Sequence, residues 1–202
     1  IGSDTVAAAV DDLDDALGSV DAGFGCPAGG SGATITSDTV GNVHKAVITF
    51  VDTQVVMADV ANVVAYGSLQ VIDFPTGHIL FLGAVADLAL TKNQGGEAGI
   101  ISTWDGDISL GTVAASNNET LSSTEQDLIP TTATPQAVAG ATTGDMASTS
   151  TEVCKVLDGS VTAKDAFLNI LVDDTDHDVA GTPCSIILNG TITISYLLLG
   201  DN

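Results

Sequence analysis

From Val43 onward, apolar and polar residues fall into strand-length runs separated by turn residues. "HKAVITFVDTQVVM" (residues 44–57) is rich in β-branched residues and predicts a strand. "VVAYGSLQVIDF" (63–74) predicts another, stopped by Pro75 and a Pro-Thr-Gly-His turn. "HILFLGAVADLAL" (78–90) is the most apolar stretch and belongs in the centre of a sheet. "KNQGGEAG" (92–99) reads as a loop, and "WDGDISLGTV" (104–113) offers an Asp-Gly hairpin turn between short strands. "AFLNILVDD" (166–174) is apolar on both faces, which predicts a place between two layers.

The last segment, "CSIILNGTITISYLLLGDN" (184–202), alternates with period two. Ile192, Ile194, Tyr196 and Leu198 share one face; Thr191, Thr193 and Ser195 share the other. Chain ends often fray, but this pattern demands packing. Asn189-Gly190 interrupts it either as a hairpin turn or as a bulge in one long strand.

Two stretches speak differently. Near the N-terminus, Val6, Val10, Leu13 and Leu17 recur at helical spacing, with Ser3 or Asp4 as the cap and Gly18 as the stop. A helix this short needs a docking surface. "AGFGCPAGGSGA" (22–33) then reads as a flexible connection. Residues 1–33 are therefore expected to form an arm and residues 34–202 one domain. Asn117 to Ser150 mixes Thr, Ser, Ala, Gly and Pro and predicts a long excursion with one helical turn near "STEQDLIP". The expected fold class is mainly β: a β-sandwich or jelly-roll-like domain with a short N-terminal helical arm. At 202 residues a single domain buries roughly 70% of its unfolded surface, enough for a core without staples.

Charge narrows the function. The chain carries 26 acidic residues against 4 lysines and no arginine, a formal net charge of −22. Nucleic-acid binding requires cations against phosphates, so direct contact is nearly excluded, and an anionic membrane fails for the same reason. A basic protein partner, divalent cations or a salty medium remain. No apolar run reaches the roughly 20 residues of a membrane-spanning helix, and no secretory signal is recognisable. Initiator Met is not normally trimmed before a bulky Ile, so a start upstream of Ile1 is expected, removed by processing or disorder.

Chemistry-bearing residues are sparse. Cys26, Cys154 and Cys184 have no metal-like spacing and read as three idle thiols, or as one disulfide plus a thiol. His44, which precedes a strand, His78, in a turn, and His177, among aspartates, read as surface or turn residues. No nucleophile elbow, zinc signature or P-loop appears, so no catalytic, cofactor or metal residue is assigned. In "DDTDHD" (173–178), Asp174, Asp176 and Asp178 alternate and could turn carboxylates toward one Ca²⁺. The bland reading, a charged turn between apolar strands, is favoured. "WDGD" (104–107) is likewise a turn first. Asn118-Glu119-Thr120 and Asn189-Gly190-Thr191 match the glycosylation pattern at the level chance supplies.

Taken together, "GNVHKAVITFVDTQVVM", "YGSLQVIDFPTGHILFLGAVADLALTK", "WDGDISLGTVAA" and "DAFLNILVDDTDHDVAG...ILNGTITISYLLLGD" resemble head-decoration (capsid cement) proteins of marine and aquatic tailed bacteriophages. The resemblance covers about Gly41 to Val113 and Ala163 to Asp201. It implies a non-enzymatic virion protein on the outer capsid surface, bound to the major capsid protein lattice, without cofactor, and a homo-oligomer with a trimer favoured. No catalytic residue comes with it. The competing expectations are another virion surface module (a fibre, knob or host-adhesion domain), a major capsid jelly roll, and an extracellular enzyme or binding protein from a salt-loving organism.

Overall fold

A computed structural model describes residues 33–40, 43–59, 64–93, 99–101, 103–116, 118, 120–134, 146–149, 154–162, 164–173 and 184–200. The expected N-terminal arm, Cys26, His177 and the alternating aspartates Asp174, Asp176 and Asp178 lie outside these residues.

The described chain is built of strands. In order they are β1 (Ala33–Val40), β2 (Val43–Asp59), β3 (Ala65–Asp73), β4 (Gly77–Lys92), β5 (Gly106–Gly111), β6 (Ile129–Thr134), β7 (Met146–Thr149), β8 (Lys155–Gly159), β9 (Asp165–Val172) and β10 (Cys184–Gly200). The pairings are antiparallel. The mainly-β, sandwich-like class read from the alternation is what the chain adopts.

One long sheet curls into two layers. The first runs β1-β2-β10-β4, with β8 and β7 sharing the far side of β4. The second runs β3-β9-β5-β6. β2 joins them: residues up to Met57 pair with β10, while Ala58 and Asp59 pair with β3. The inner faces meet in one core. Ala86 and Leu88 of the first layer approach Ile108, Leu110, Ile129 and Leu168 of the second around a cavity of about 10 Å³. That is room for about one water, against ~300 Å³ or more for a small-molecule pocket. Phe74, just past β3, meets Tyr196 of β10 edge-on with centroids 5.2 Å apart.

β10 explains why the chain's last segment must pack. It lies between β2 and β4, and Ile186, Leu188, Ile192, Ile194 and Tyr196 are buried along it. β10 continues straight through Asn189-Gly190, so the hairpin reading gives way to the bulge. The additional residue sits on the neighbour. Leu188 is opposite Thr53 but Gly190 is opposite Phe50, so β2 holds one residue more. Val51 and Asp52 are both exposed, and Asp52 adopts φ 49°. The bulge moves the inward set of β2 from His44, Ala46, Ile48 and Phe50 to Thr53, Val55 and Met57. Asn189 clamps it: its Oδ1 accepts from the Asp52 N–H at 3.0 Å, and its Nδ2 donates to Asp52 Oδ1 at 3.1 Å.

That switch carries Thr53 into the core, fully buried, with no hydrogen-bond partner for Oγ1 among the described residues. A buried unsatisfied hydroxyl costs stability that an isosteric methyl does not. Thr53→Val is expected to stabilise the domain by about 1 kcal/mol, read as a higher urea midpoint at unchanged slope.

Other expectations need correction. The Asp-Gly of "WDGD" is no hairpin turn: Gly106 already belongs to β5, which pairs with β6 and β9, and Trp104 is fully buried. The excursion at 117–150 contains two strands, β6 and β7, besides the helical turn expected near "STEQDLIP", which is the single 3-10 turn Ser123–Glu125. β1 falls on residues given no strand by periodicity; it pairs along β2 from Val43 to Phe50.

Candidate interaction surface

The second layer does not show its outer face to solvent everywhere. After β5 the chain folds back, and the described residues 112–116, 118 and 120–128 cover β9. Gly111 is where the backbones approach: a Cβ there would collide with the backbone of Thr124 and Glu125. Under the flap, Leu121 and Leu171 pack with Val64 in a small separate cluster flanked by Tyr66 and Ala115. This is why "AFLNILVDD" is apolar on both sides.

The flap is held by a polar knot centred on Asn169, which is fully buried. Its Nδ2 donates to the carbonyls of Val113 (3.0 Å) and Glu125 (2.7 Å). Its Oδ1 accepts from Ser68 Oγ (2.7 Å) and the Ala115 N–H (2.8 Å). The Glu125 carboxylate accepts from Ser116 N–H and Oγ and from the Ser122 N–H. Asp127 accepts from Thr112 N–H and Oγ1 and pairs with Lys155 at 3.2 Å.

The first layer carries no such flap among the described residues, and its outer face has a different character. Register places four rows across it. Thr34, Thr49, Thr191 and Asp87 form one; Thr36, Val47, Thr193 and Val85 the next. Asp38, Lys45, Ser195 and Gly83 form the third. Val43, Leu197, Leu80 and Val156 form the fourth, an apolar stripe crossing four strands. Val43 is 39% exposed and Val156 57%. Two carboxylates stand against one ammonium in these rows, so a chain of net −22 presents here a face of net −1.

Elsewhere acids crowd each other. At one end of β9, Asp165 sits opposite Asp73. Burial pushes the Asp165 carboxyl above its ordinary value, the Asp73 charge and a hydrogen bond with Asp73 push it further, and donation from Gln70 Nε2 opposes them. At the other end, burial and then the Asp173 charge raise Asp107. Both ends of one strand thus hold carboxylates that disfavour ionisation.

No protein-family model and no curated protein matches this sequence. Two solved structures are similar in outline. One is the enzymatically active domain of tailspike protein 4 of bacteriophage CBA120, 12% identical, covering 83% of this chain and 18% of that chain, with a TM-score of 0.27. The other is a carbohydrate-binding module described for specific mannan recognition, 10% identical, covering 87% of this chain and 89% of that chain, with a TM-score of 0.29. This chain spans less than a fifth of the tailspike chain. Both likenesses are of outline only, and the chemistry-bearing residues are this chain's own.

Those residues are dispersed. His44 is not a surface or turn residue: it lies inside β2, buried, stacked on Tyr196 at 5.0 Å, with Thr39 Oγ1 3.3 Å from Nδ1. Burial lowers its pKa, which favours a neutral ring in the core. His78 lies in β4 rather than a turn, 3.7 Å from Asp158 on β8. Cys184 is buried at the start of β10, whereas Cys154 is exposed beside Lys155, whose register partner Phe81 faces Tyr196 near the other end of β10. The two thiols are a strand's length apart and form no bond with each other. Among the described residues, no three His, Cys, Asp or Glu side chains gather as a metal site would require.

The raised Asp165 gives a pH prediction. A carboxyl with a higher pKa folded than unfolded binds more protons in the native state, so its contribution falls as pH rises from about 3.8 through the folded value. Asp165→Asn removes that penalty. The variant is expected to gain stability over wild type at pH 7 and to match it at pH 3, by urea unfolding at both. His44, lowered, acts with the opposite sign below 6.5, which is why the comparison is made between variant and wild type rather than on one curve.

Proposed function

We propose that this chain is a non-enzymatic structural protein of a virion surface, and that it decorates the outside of a tailed-phage capsid by docking on the major capsid protein. The observation that carries the reading is the pairing of like-charged carboxylates at both ends of β9. Side-by-side carboxylates hold electrostatic strain that a cationic side chain from outside relieves. In a chain of −22, such positions recognise a basic protein surface and steer it into register. The resemblance of the sequence to head-decoration proteins supports reading that surface as a capsid lattice. A rigid two-layer domain with its flap tied by Asn169 suits the task, because a preformed surface loses little entropy on docking.

The test is electron microscopy of intact particles. The expected density is many copies at lattice symmetry on the head, with occupancy falling as salt is raised. Location at the tail, at fibres or in the shell wall itself would replace this reading with one of the alternative virion roles. Turnover of a small molecule by the pure protein, abolished by changing one side chain, would remove it.

A further inference from the structure

We infer that the outer face of the first layer, the four rows from Thr34 to Val156, is a self-association surface whose occupant is a second copy of this chain. The inference rests on reading the protein as a docking module and assigns a second, separate contact. Two copies at −22 repel over most of their surface. They meet at low cost on a face that carries little charge and an apolar stripe, and among the described residues the four rows form such a face. A basic partner fits it poorly, since its cations would lie against Val43, Leu80, Leu197 and Val156 rather than against the acid pairs.

Lys45 points the same way. It is exposed in the row beside the apolar stripe and makes no ion pair among the described residues. By contrast Lys155 pairs with Asp127, and Lys92 donates to the Ile100 carbonyl. An exposed ammonium beside an apolar stripe complements an acidic partner, and a second copy is acidic. Asp38 and Asp87, which bound the same rows, are ready acceptors on that copy.

Size sets the strength. Four strands about 4.8 Å apart and four rows about 6.8 Å apart make a patch of roughly 500 Å². That is short of the ~800 Å² per partner of a standard stable interface, about two thirds of it. The association is therefore weak and concentration-dependent in solution, and it is reinforced when copies are held side by side on a repeated surface.

The two contacts respond to salt with opposite signs, and the experiment uses that. Sedimentation equilibrium of the full chain is run over a range of protein concentration and salt. The average mass is expected to rise with salt, as screening removes repulsion between acidic copies, whereas docking on a basic surface weakens. Val43→Asp with Val156→Asp, at exposed sites, is expected to weaken association about tenfold or more, the equivalent of ~1.4 kcal/mol. Lys45→Glu is expected to weaken it in the same direction, and Val161→Asp, on the exposed turn beyond β8, to leave it unchanged. A monomer at every salt concentration overturns the inference, because the face is then covered otherwise or left bare. So does association that the paired substitutions leave intact while thermal unfolding shows them folded. Retained salt-sensitive docking of the monomeric variant on capsids would leave the functional reading standing alone; loss of docking with association preserved would do the reverse.

Discussion

Asn169→Leu is expected to release the flap over β9 and to destabilise the domain by on the order of 4 kcal/mol. The side chain is fully buried and makes four contacts at 2.7–3.0 Å with four different groups. Leucine fits the volume but satisfies none of them. It leaves the Val113 carbonyl to find another partner under the flap, while the Ala115 N–H keeps only Ser68 Oγ and the Glu125 carbonyl only Ser109 Oγ. Removing one partner of a buried hydrogen bond costs about 1–3 kcal/mol, and some of the four groups recover by moving toward water. The loss should therefore be local before it is global. Hydrogen exchange at Ala115 is expected to accelerate by several orders of magnitude, with protease cutting appearing between Thr112 and Asp127 while the exchange of β10 barely changes. Ser68→Ala removes two contacts of the same knot, the donation to Asn169 Oδ1 and the acceptance from the Ala115 N–H, and should cost about 1–2 kcal/mol. Unchanged exchange at Ala115 in the leucine variant would show that the flap is held by the Leu121–Leu171 contact instead.

The consequence for function is specific. The flap and the acid pair Asp107–Asp173 both adjoin β5 and β9. A variant with a loosened flap but an intact first layer should lose rigidity on one side only. Capsid docking and self-association, assigned to different faces, are then separable by mutation.

Much of this architecture was legible in the residues. Period-two alternation along β10 marked Ile192, Ile194 and Tyr196 as inward and Thr191, Thr193 and Ser195 as outward, because a strand with one face buried must alternate. The double-sided apolarity of β9 pointed to cover on both faces, though the flap that covers it could not be read. The edge strand β6 is built from "IPTTAT", which has no hydrophobic period; it is fixed by pairing with β5, a long-range fact. β1, "ATITSDTV", is hidden in the sequence for a similar reason: its short Thr-rich pattern has no strong period, and β2 supplies the ladder that makes it a strand. His44 reads in sequence as a residue ahead of a strand, while register puts it inside β2 against Tyr196. The candidate surface itself was invisible, since Val43, Leu80, Leu197 and Val156 come from four distant segments and become one stripe only through three registers.

Asn189-Gly190 is where sequence reasoning left two outcomes, and it supplies the second large effect. Gly190→Val is expected to destabilise the domain by about 3 kcal/mol or more and to weaken self-association with it. Gly190 sits at φ +124°, where a side chain is strained, and a Cβ there would collide with the backbone carbonyl of Asp87 on β4. Relief requires β10 and β4 to separate or β10 to rotate. Either change breaks the register that aligns Thr191 with Asp87 and, along the same strand pair, Leu197 with Leu80. Gly190→Ala should show the same effect in smaller measure, because strain and collision both begin at Cβ. Asn189→Ala is the contrasting case. It removes the two bonds to exposed Asp52 and leaves Gly190 free of strain, so it should cost no more than about 1 kcal/mol. Urea unfolding of the three variants checks the order. If Gly190→Ala proved as stable as wild type, β10 would have room to turn at this point, and the fixed register on which the apolar stripe depends would be lost as an argument.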